Sequence, residues 1–319
     1  MPRPLAVLAM NVPQATLDRV RQDCDVRIIP PPVDRQILAE ALASADGLLG
    51  SAVYPIDTAL MDAAPRLRVL SNFGVGFNNV DVGEATRRGI AVCNTPGVLT
   101  DAVANLTLGL ILSTSRRLPE NFEHGKHGWA AGVPGVPLGF DIRGKTLGIV
   151  GYGRIGRAVA LRARAFGMKV VYYDSAHVMP EAGDRPSPLD DLLRQSDIVS
   201  IHANLTPETH HLISDRELAL MKPTSWLVNT ARGPVVDQAA LVRALNGSVI
   251  AGAALDVLEI EPPPPGDPIL SAPNVRILPH IGSATVETRA AMLEMAVQNL
   301  LAVLARERPP SCVNPEVLG

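Results

Sequence analysis

The sequence is short of three things: cysteine, blocks of like charge and long apolar runs. Its three cysteines, Cys24, Cys93 and Cys312, are far apart and in no metal-ligand spacing. An odd, scattered set of this kind argues against a disulfide framework or a zinc site and fits a reducing, cytoplasmic setting. Lysine plus arginine number 29 against 32 acids, a formal net charge of −3, so neither a nucleic-acid nor an anionic-membrane partner is indicated. No stretch reaches the ~18 uncharged apolar residues that a membrane helix needs. The opening MPRPLAVLAMNVP has too short an apolar run for a secretion signal and reads as a first buried strand.

What is present is a long α/β pattern. At 319 residues two domains are expected. From residue 5 to about 94, short apolar runs (LAVLAM, VRIIP, DGLLG, RVLSN) alternate with segments of helical period. A second series starts at Lys145 with TLGIVG, VVYYD, DIVSIH, TSWLVN, VIAGAALDV and NVRILP. Alternation of this kind predicts parallel sheets with helices on both faces. Between the two series lies TDAVANLTLGLILSTSRRL, apolar nearly all round and therefore expected to be buried on most sides. Its apolarity exceeds what a monomer surface tolerates, so a homodimer built on residues 102–114 is expected, unless its own domain buries the helix. The tail RAAMLEMAVQNLLAVLARE is an amphipathic helix.

The most informative segment is KTLGIVGYGRIGRAVALRARAFGMKVVYYD. Gly151, Gly153 and Gly156 form G-x-G-x-x-G after a strand and at the mouth of a helix, and Asp174 closes the next strand 18 residues beyond Gly156. In a dinucleotide site the first glycine makes the tight turn, the second admits a pyrophosphate and the third lets helix and strand pack closely. The helix N-terminus, from Arg154 and Ile155 onward, would meet the phosphates. Asp174 would accept from ribose hydroxyls and repel a 2′-phosphate. Ser175, Ala176 and His177 follow it with no arginine among them, which favours NAD(H) over its phosphorylated form.

A different question is raised by EPPPPGDPILSAPNVRILPH, which begins on Glu261 and ends on His280. Proline fixes φ and donates no backbone hydrogen bond, so this stiff loop cannot be a helix or a central strand. It is either a surface connection or a scaffold bringing a carboxylate to an imidazole.

Four motifs together answer it: GVGFNNVDV (74–82), the glycine fingerprint with Asp174, NTARGPVVD (229–237) and ALDVLEIEP…LPHIGSAT (254–285). Through them the chain resembles the D-isomer-specific 2-hydroxyacid dehydrogenases over nearly its whole length. The resemblance implies a flavodoxin-like substrate domain (1–98 and 289–319) and a Rossmann NAD-binding domain (99–288), both doubly wound parallel sheets, with the active site in the cleft. It implies Arg232, Glu261 and His280 as the catalytic set, and no metal. Val75 and Gly76, with Arg232 and His280, would hold the substrate. Thr100, Thr230, Asp256 and Ser283 would line the cofactor site beside the glycine loop. His202, His210 and His211 are read as structural or solvated, and Trp129 as a candidate for lining a partner subunit's pocket.

Within the family, VCNTPGVLTDAVANLTLGLIL resembles the glyoxylate/hydroxypyruvate reductase branch. Phosphite dehydrogenases need a lysine where Val75 stands, and formate dehydrogenases place glutamine at Glu261. Asn78, Asn105 and Asn204 depart from the family's usual aspartate, glutamate and proline. The expected activity is NADH-dependent reduction of glyoxylate or hydroxypyruvate. Phosphoglycerate dehydrogenase is the enzyme alternative, and an NAD-sensing binding protein the alternative of another class.

Overall fold

The computed structural model describes residues 3–51, 54–176, 178–181 and 183–319. His177, named by the sequence reading, lies outside the described residues. The chain divides into two compact units, residues 1–99 with 285–319, and residues 100–284.

The first unit holds a five-stranded parallel sheet: β1 (Leu5–Ala9), β2 (Asp25–Ile28), β3 (Gly47–Ser51), β4 (Val69–Phe73) and β5 (Ala91–Cys93), in the order β2-β1-β3-β4-β5. This is the flavodoxin-like winding expected from the sequence. Successive strand residues point to opposite faces. Val7, Leu48, Leu70 and Val92 therefore pack on one side against Leu38, Leu42, Leu60 and Met61, from helices α2 (Arg35–Leu42) and α3 (Thr58–Asp62). Leu8, Leu49, Val69 and Cys93 pack on the other, against α1 (Gln14–Asp23) and the C-terminal helix Val286–Leu304. The alternation read from the sequence stopped short of α4 (Val82–Arg87) and treated β5 only as the end of a run.

The second unit opens with α5 (Thr100–Ser115) and α6 (Leu118–Glu123), then winds β6 (Thr146–Val150), α7 (Arg154–Ala165), β7 (Lys169–Tyr173), β8 (Arg185–Pro186), α8 (Leu189–Gln195), β9 (Ile198–Ile201), α9 (Asp215–Leu220), β10 (Trp226–Asn229), α10 (Gln238–Asn246), β11 (Gly252–Leu255) and β12 (Val275–Ile277). The seven strands are all parallel, in the order β12-β11-β10-β9-β6-β7-β8, so that the chain reverses direction across the sheet between β6 and β9. That reversal is the switch point at which α/β sheets bind ligands.

Leu147, Ile149 and Val228 face Ala104, Leu108 and Ile111 of α5, together with Val159 and Ala163 of α7. The apolar helix predicted to form a dimer face is thus buried by its own unit, and that reason for a dimer falls. Apolarity all round reflected two neighbours, the sheet and α7, rather than a second chain. The apolar exposure lies further on: Phe122, Trp129, Val133, Val136 and Leu138 are all exposed. Among the described residues no helix is long and apolar enough to cross a membrane.

Candidate active site

The glycine turn after β6 meets two separate steric demands and leaves one position open. Gly151 has φ +95°, and a Cβ there would lie 2.5 Å from the Ala203 nitrogen, so only glycine fits. A Cβ on Gly156 would lie 2.2 Å from the Gly151 carbonyl oxygen, where α7 crosses β6. Gly153, the N-cap of α7, faces open space and supplies no side-chain cap. No side chain at the N-cap therefore takes up the first amides of α7, at Arg154, Ile155 and Gly156, and such amides suit a pyrophosphate. Asp174, just beyond β7, accepts from the Tyr152 amide at 2.7 Å and the Ala176 amide at 2.9 Å. Those amides fix its carboxylate beside the turn. The residues present fit a dinucleotide.

Three neighbouring strands, β10, β11 and β12, carry Arg232, Asp256, Glu261 and His280 in the loops at their C-terminal ends. After β10, buried Asn229 accepts from the Ala231 amide and donates to the Arg232 carbonyl, closing a turn that projects Arg232. A side chain on Gly233 would place its Cβ 1.9 Å from the Leu258 carbonyl oxygen, so this turn lies directly on the loop that follows β11. Burial lowers the pKa of the Arg232 guanidinium, and the charge of Glu261 opposes that shift.

Beyond β11, Asp256 accepts from the Ile281 and Gly282 amides at 2.7 and 2.8 Å, and its carbonyl accepts from the His280 amide. It pins the loop after β12 in place. Burial raises its pKa, opposed by those two amides. His280 stands in that loop at φ +53°. Its Nδ1 lies 2.6 Å from Glu261 Oε2, while the other oxygen of Glu261 accepts from the Leu258 amide at 2.9 Å. Burial alone would raise the Glu261 pKa, but the hydrogen bond and charge of His280, the Leu258 amide and Arg232 together lower it. An ionised carboxylate on Nδ1 fixes the ring and leaves Nε2 as the nitrogen able to exchange a proton with a ligand.

The remaining residues divide. Thr230 is buried, its hydroxyl 2.9 Å from that of Thr107, which ties β10 to α5. Thr100 begins α5, and Ser283 follows the Asp256-bound amides. Val75 and Gly76 belong to the first unit, in the loop after β4. Asn105 accepts from Arg162 of α7 at 2.7 Å, and the exposed Asn204 accepts from the Thr209 hydroxyl through its carbonyl. His202 is a half-buried imidazole: desolvation takes its pKa down to about 3, and its Nε2 lies 2.8 Å from the Ser200 hydroxyl. His211 is partly exposed, as expected, but also paired. Its Nε2 lies 2.6 Å from Glu259, and its ring stacks on His210.

Residues 108–282 match the family described as D-isomer specific 2-hydroxyacid dehydrogenase, NAD binding domain. The chain belongs to that family. A glyoxylate reductase of Thermofilum pendens is 47% identical over 329 residues, covering 100% of this chain and 96% of the relative. One from Korarchaeum cryptofilum is 44% identical, covering 99% and 97%. Among solved structures, a glyoxylate reductase from Paecilomyes thermophila superposes with a TM-score of 0.90 at 32% identity, covering 99% of this chain and 100% of that one. An NADPH-dependent glyoxylate/hydroxypyruvate reductase from Sinorhizobium meliloti, in complex with NADP and malonate, gives 0.89 at 36% identity, covering 98% and 97%. As a 2-hydroxyacid dehydrogenase, this chain is an NAD(P)-dependent oxidoreductase.

Sequence reasoning overlooked Asn72 and Asn94. Both are buried polar residues at the ends of β4 and β5, and both donate to the glycine loop that follows β4. The available signal was their position: a buried asparagine at the C-terminal end of a parallel strand needs a partner and stands where ligands bind.

Proposed function

We propose that the chain reduces a small 2-oxo acid, glyoxylate or hydroxypyruvate, to the D-2-hydroxy acid with NADH, reversibly. The observation that carries the reading is the 2.6 Å pair of His280 and Glu261, one strand away from the turn that projects Arg232. The names of the most similar relatives support glyoxylate over a phosphorylated substrate.

Arg232 is planar and permanently charged, so it can hold a carboxylate through two parallel hydrogen bonds. The amides of Val75 and Gly76 are proposed as the carboxylate's other donors. Gly151–Gly156 and Asp174 would hold a nicotinamide cofactor, which when bound would supply the hydride for the carbonyl carbon. His280 Nε2 gives its proton to the oxygen of that carbonyl, and in the oxidative direction takes it back. Glu261 holds the ring and stabilises the imidazolium that the proton transfer needs. Asp256 holds the His280 loop, while Thr100, Thr230 and Ser283 complete the cofactor side. The test is NADH oxidation across glyoxylate, hydroxypyruvate, pyruvate, phenylpyruvate and 3-phosphohydroxypyruvate, with an NADPH control. Preference for either of the first two supports the reading, whereas turnover of the phosphorylated acid alone would sink it.

Asp174 is proposed to select NADH, because its carboxylate would sit against a 2′-phosphate. Asp174→Asn removes that charge and keeps the amide contacts possible. The expected result is a gain of at least about tenfold in kcat/KM for NADPH relative to NADH. An unchanged ratio would remove Asp174 from coenzyme choice.

We further propose a cytoplasmic homodimer. Its apolar contact is placed on the exposed 122–138 segment, with Trp129 as the anchor, since exposed apolar clusters of this kind mark interaction sites. Light scattering at micromolar concentration should give twice the 33.8 kDa chain mass. Trp129→Glu together with Leu138→Glu should return it to the monomer.

A further inference from the structure

We propose that Asn94 and Asn72 are positioning residues for the substrate's carboxylate, acting by fixing the peptide planes of the 74–77 loop. The proposal rests on the reading that this loop receives a 2-oxo acid. Three successive carbonyls in the loop are each held by one donor. Gly74 O accepts from the Thr95 amide at 3.0 Å, Val75 O from Asn94 Nδ2 at 2.7 Å and Gly76 O from Asn72 Nδ2 at 2.6 Å. In a trans peptide the N–H points opposite to the preceding carbonyl. Holding those three oxygens against the ends of β4 and β5 therefore turns the amides of Val75, Gly76 and Phe77 the other way. Among the described residues none of these three amides donates to a protein acceptor. Consecutive free N–H groups of this kind form an anion-binding concavity.

Asn94 is itself held so that only its NH₂ can face Val75. Its Oδ1 accepts from the Ser311 hydroxyl at 2.7 Å, and its backbone carbonyl accepts from buried Asn299 at 2.9 Å. Asn299 in turn accepts from the Ser311 amide at 2.9 Å. The C-terminal segment and helix thereby set the orientation of a loop more than 200 residues earlier in the chain. Without the Asn94 donor the Val75–Gly76 peptide is free to rotate and present an oxygen, instead of an N–H, to an incoming carboxylate.

Asn94→Asp and Asn72→Asp keep the side-chain shape and replace the donor with a repelling oxygen. Each should raise the glyoxylate KM and the inhibition constant of oxamate roughly ten- to hundredfold, the range of one hydrogen bond to a charged group. kcat should stay within about threefold of wild type. NADH affinity, followed by cofactor fluorescence, should stay at its wild-type value. Ser311→Ala, which loosens Asn94 without touching the loop, should give a smaller rise in the same two constants. Oxamate binding at wild-type strength in folded Asp variants overturns the proposal while leaving the function intact. So does a loss confined to stability or to NADH binding. If the Asp variants do not fold, unchanged oxamate inhibition in Ser311→Ala overturns it. A wild-type protein that neither reduces 2-oxo acids nor binds oxamate overturns both readings together.

Discussion

Replacing His280 with alanine is expected to lower kcat for 2-oxo acid reduction by roughly 10²–10⁴-fold, the span typical of losing a positioned general acid. NADH affinity should be retained, because the glycine turn and Asp174 are separate from the His280 loop in sequence and fold. The expectation follows from how the ring is held. Nδ1 is occupied by Glu261 at 2.6 Å, and the backbone on either side is fixed through Asp256. Such a ring has one nitrogen left to exchange protons and little freedom to swing away. Steady-state rates with saturating glyoxylate would measure the effect. A variant within about tenfold of wild-type kcat would move the proton donor elsewhere.

Glu261 supplies the contrasting arm of the same experiment. Its pKa lies below the ordinary glutamate value, so the carboxylate persists through neutral and mildly acidic pH. Its hold on His280 is therefore present above the usual glutamate range and lost only as pH falls through the lowered value. Glu261→Gln removes the carboxylate that titrates there, so the acid-side loss of its hold on His280 should vanish from the pH profile. A profile superimposable on wild type would reduce Glu261 to a packing role.

Legibility in the sequence followed from whether a signal was local. The glycine turn could be read because Gly151 and Gly156 have no room for a side chain, and a steric demand of that kind fixes residue type at fixed spacing. Most strands of both sheets could be read because each is a short apolar run bounded by polar turns; β8, an exposed Arg-Pro pair, has no such run and was not read. Strand β5 is only three residues long, too short to carry a period of its own. Helix α5 misled because hydropathy records how much of a helix is buried and not by what. The sheet and α7 bury it. His211 escaped because its partner, Glu259, lies 48 residues away in a loop, and no spacing rule joins them. Asn72 and Asn94 were silent for a related reason: an asparagine amide donating to a backbone carbonyl is a tertiary contact, and any loop sequence can accept it.

Arg232 carries the second large expected effect. Arg232→Ala should lower kcat/KM for glyoxylate roughly 30- to 5,000-fold, corresponding to about 2–5 kcal/mol for removing one partner of a desolvated charge pair. Most of the loss should appear in KM, because a carboxylate is held equally before and during hydride transfer. Arg232→Lys is the sharper test. Lysine keeps the positive charge but offers a compact ammonium on a flexible stem, without the fork that meets two oxygens in one plane. The turn that presents the residue is built for a fixed projection. Asn229 closes it, and Gly233 lies against the Leu258 carbonyl. Charge alone would thus be delivered to the right region without the right geometry, and at least a tenfold loss in kcat/KM should remain. Lysine restoring wild-type KM would mean that Arg232 contributes charge only, and that the orientation of the substrate is set by the amides of the 74–77 loop.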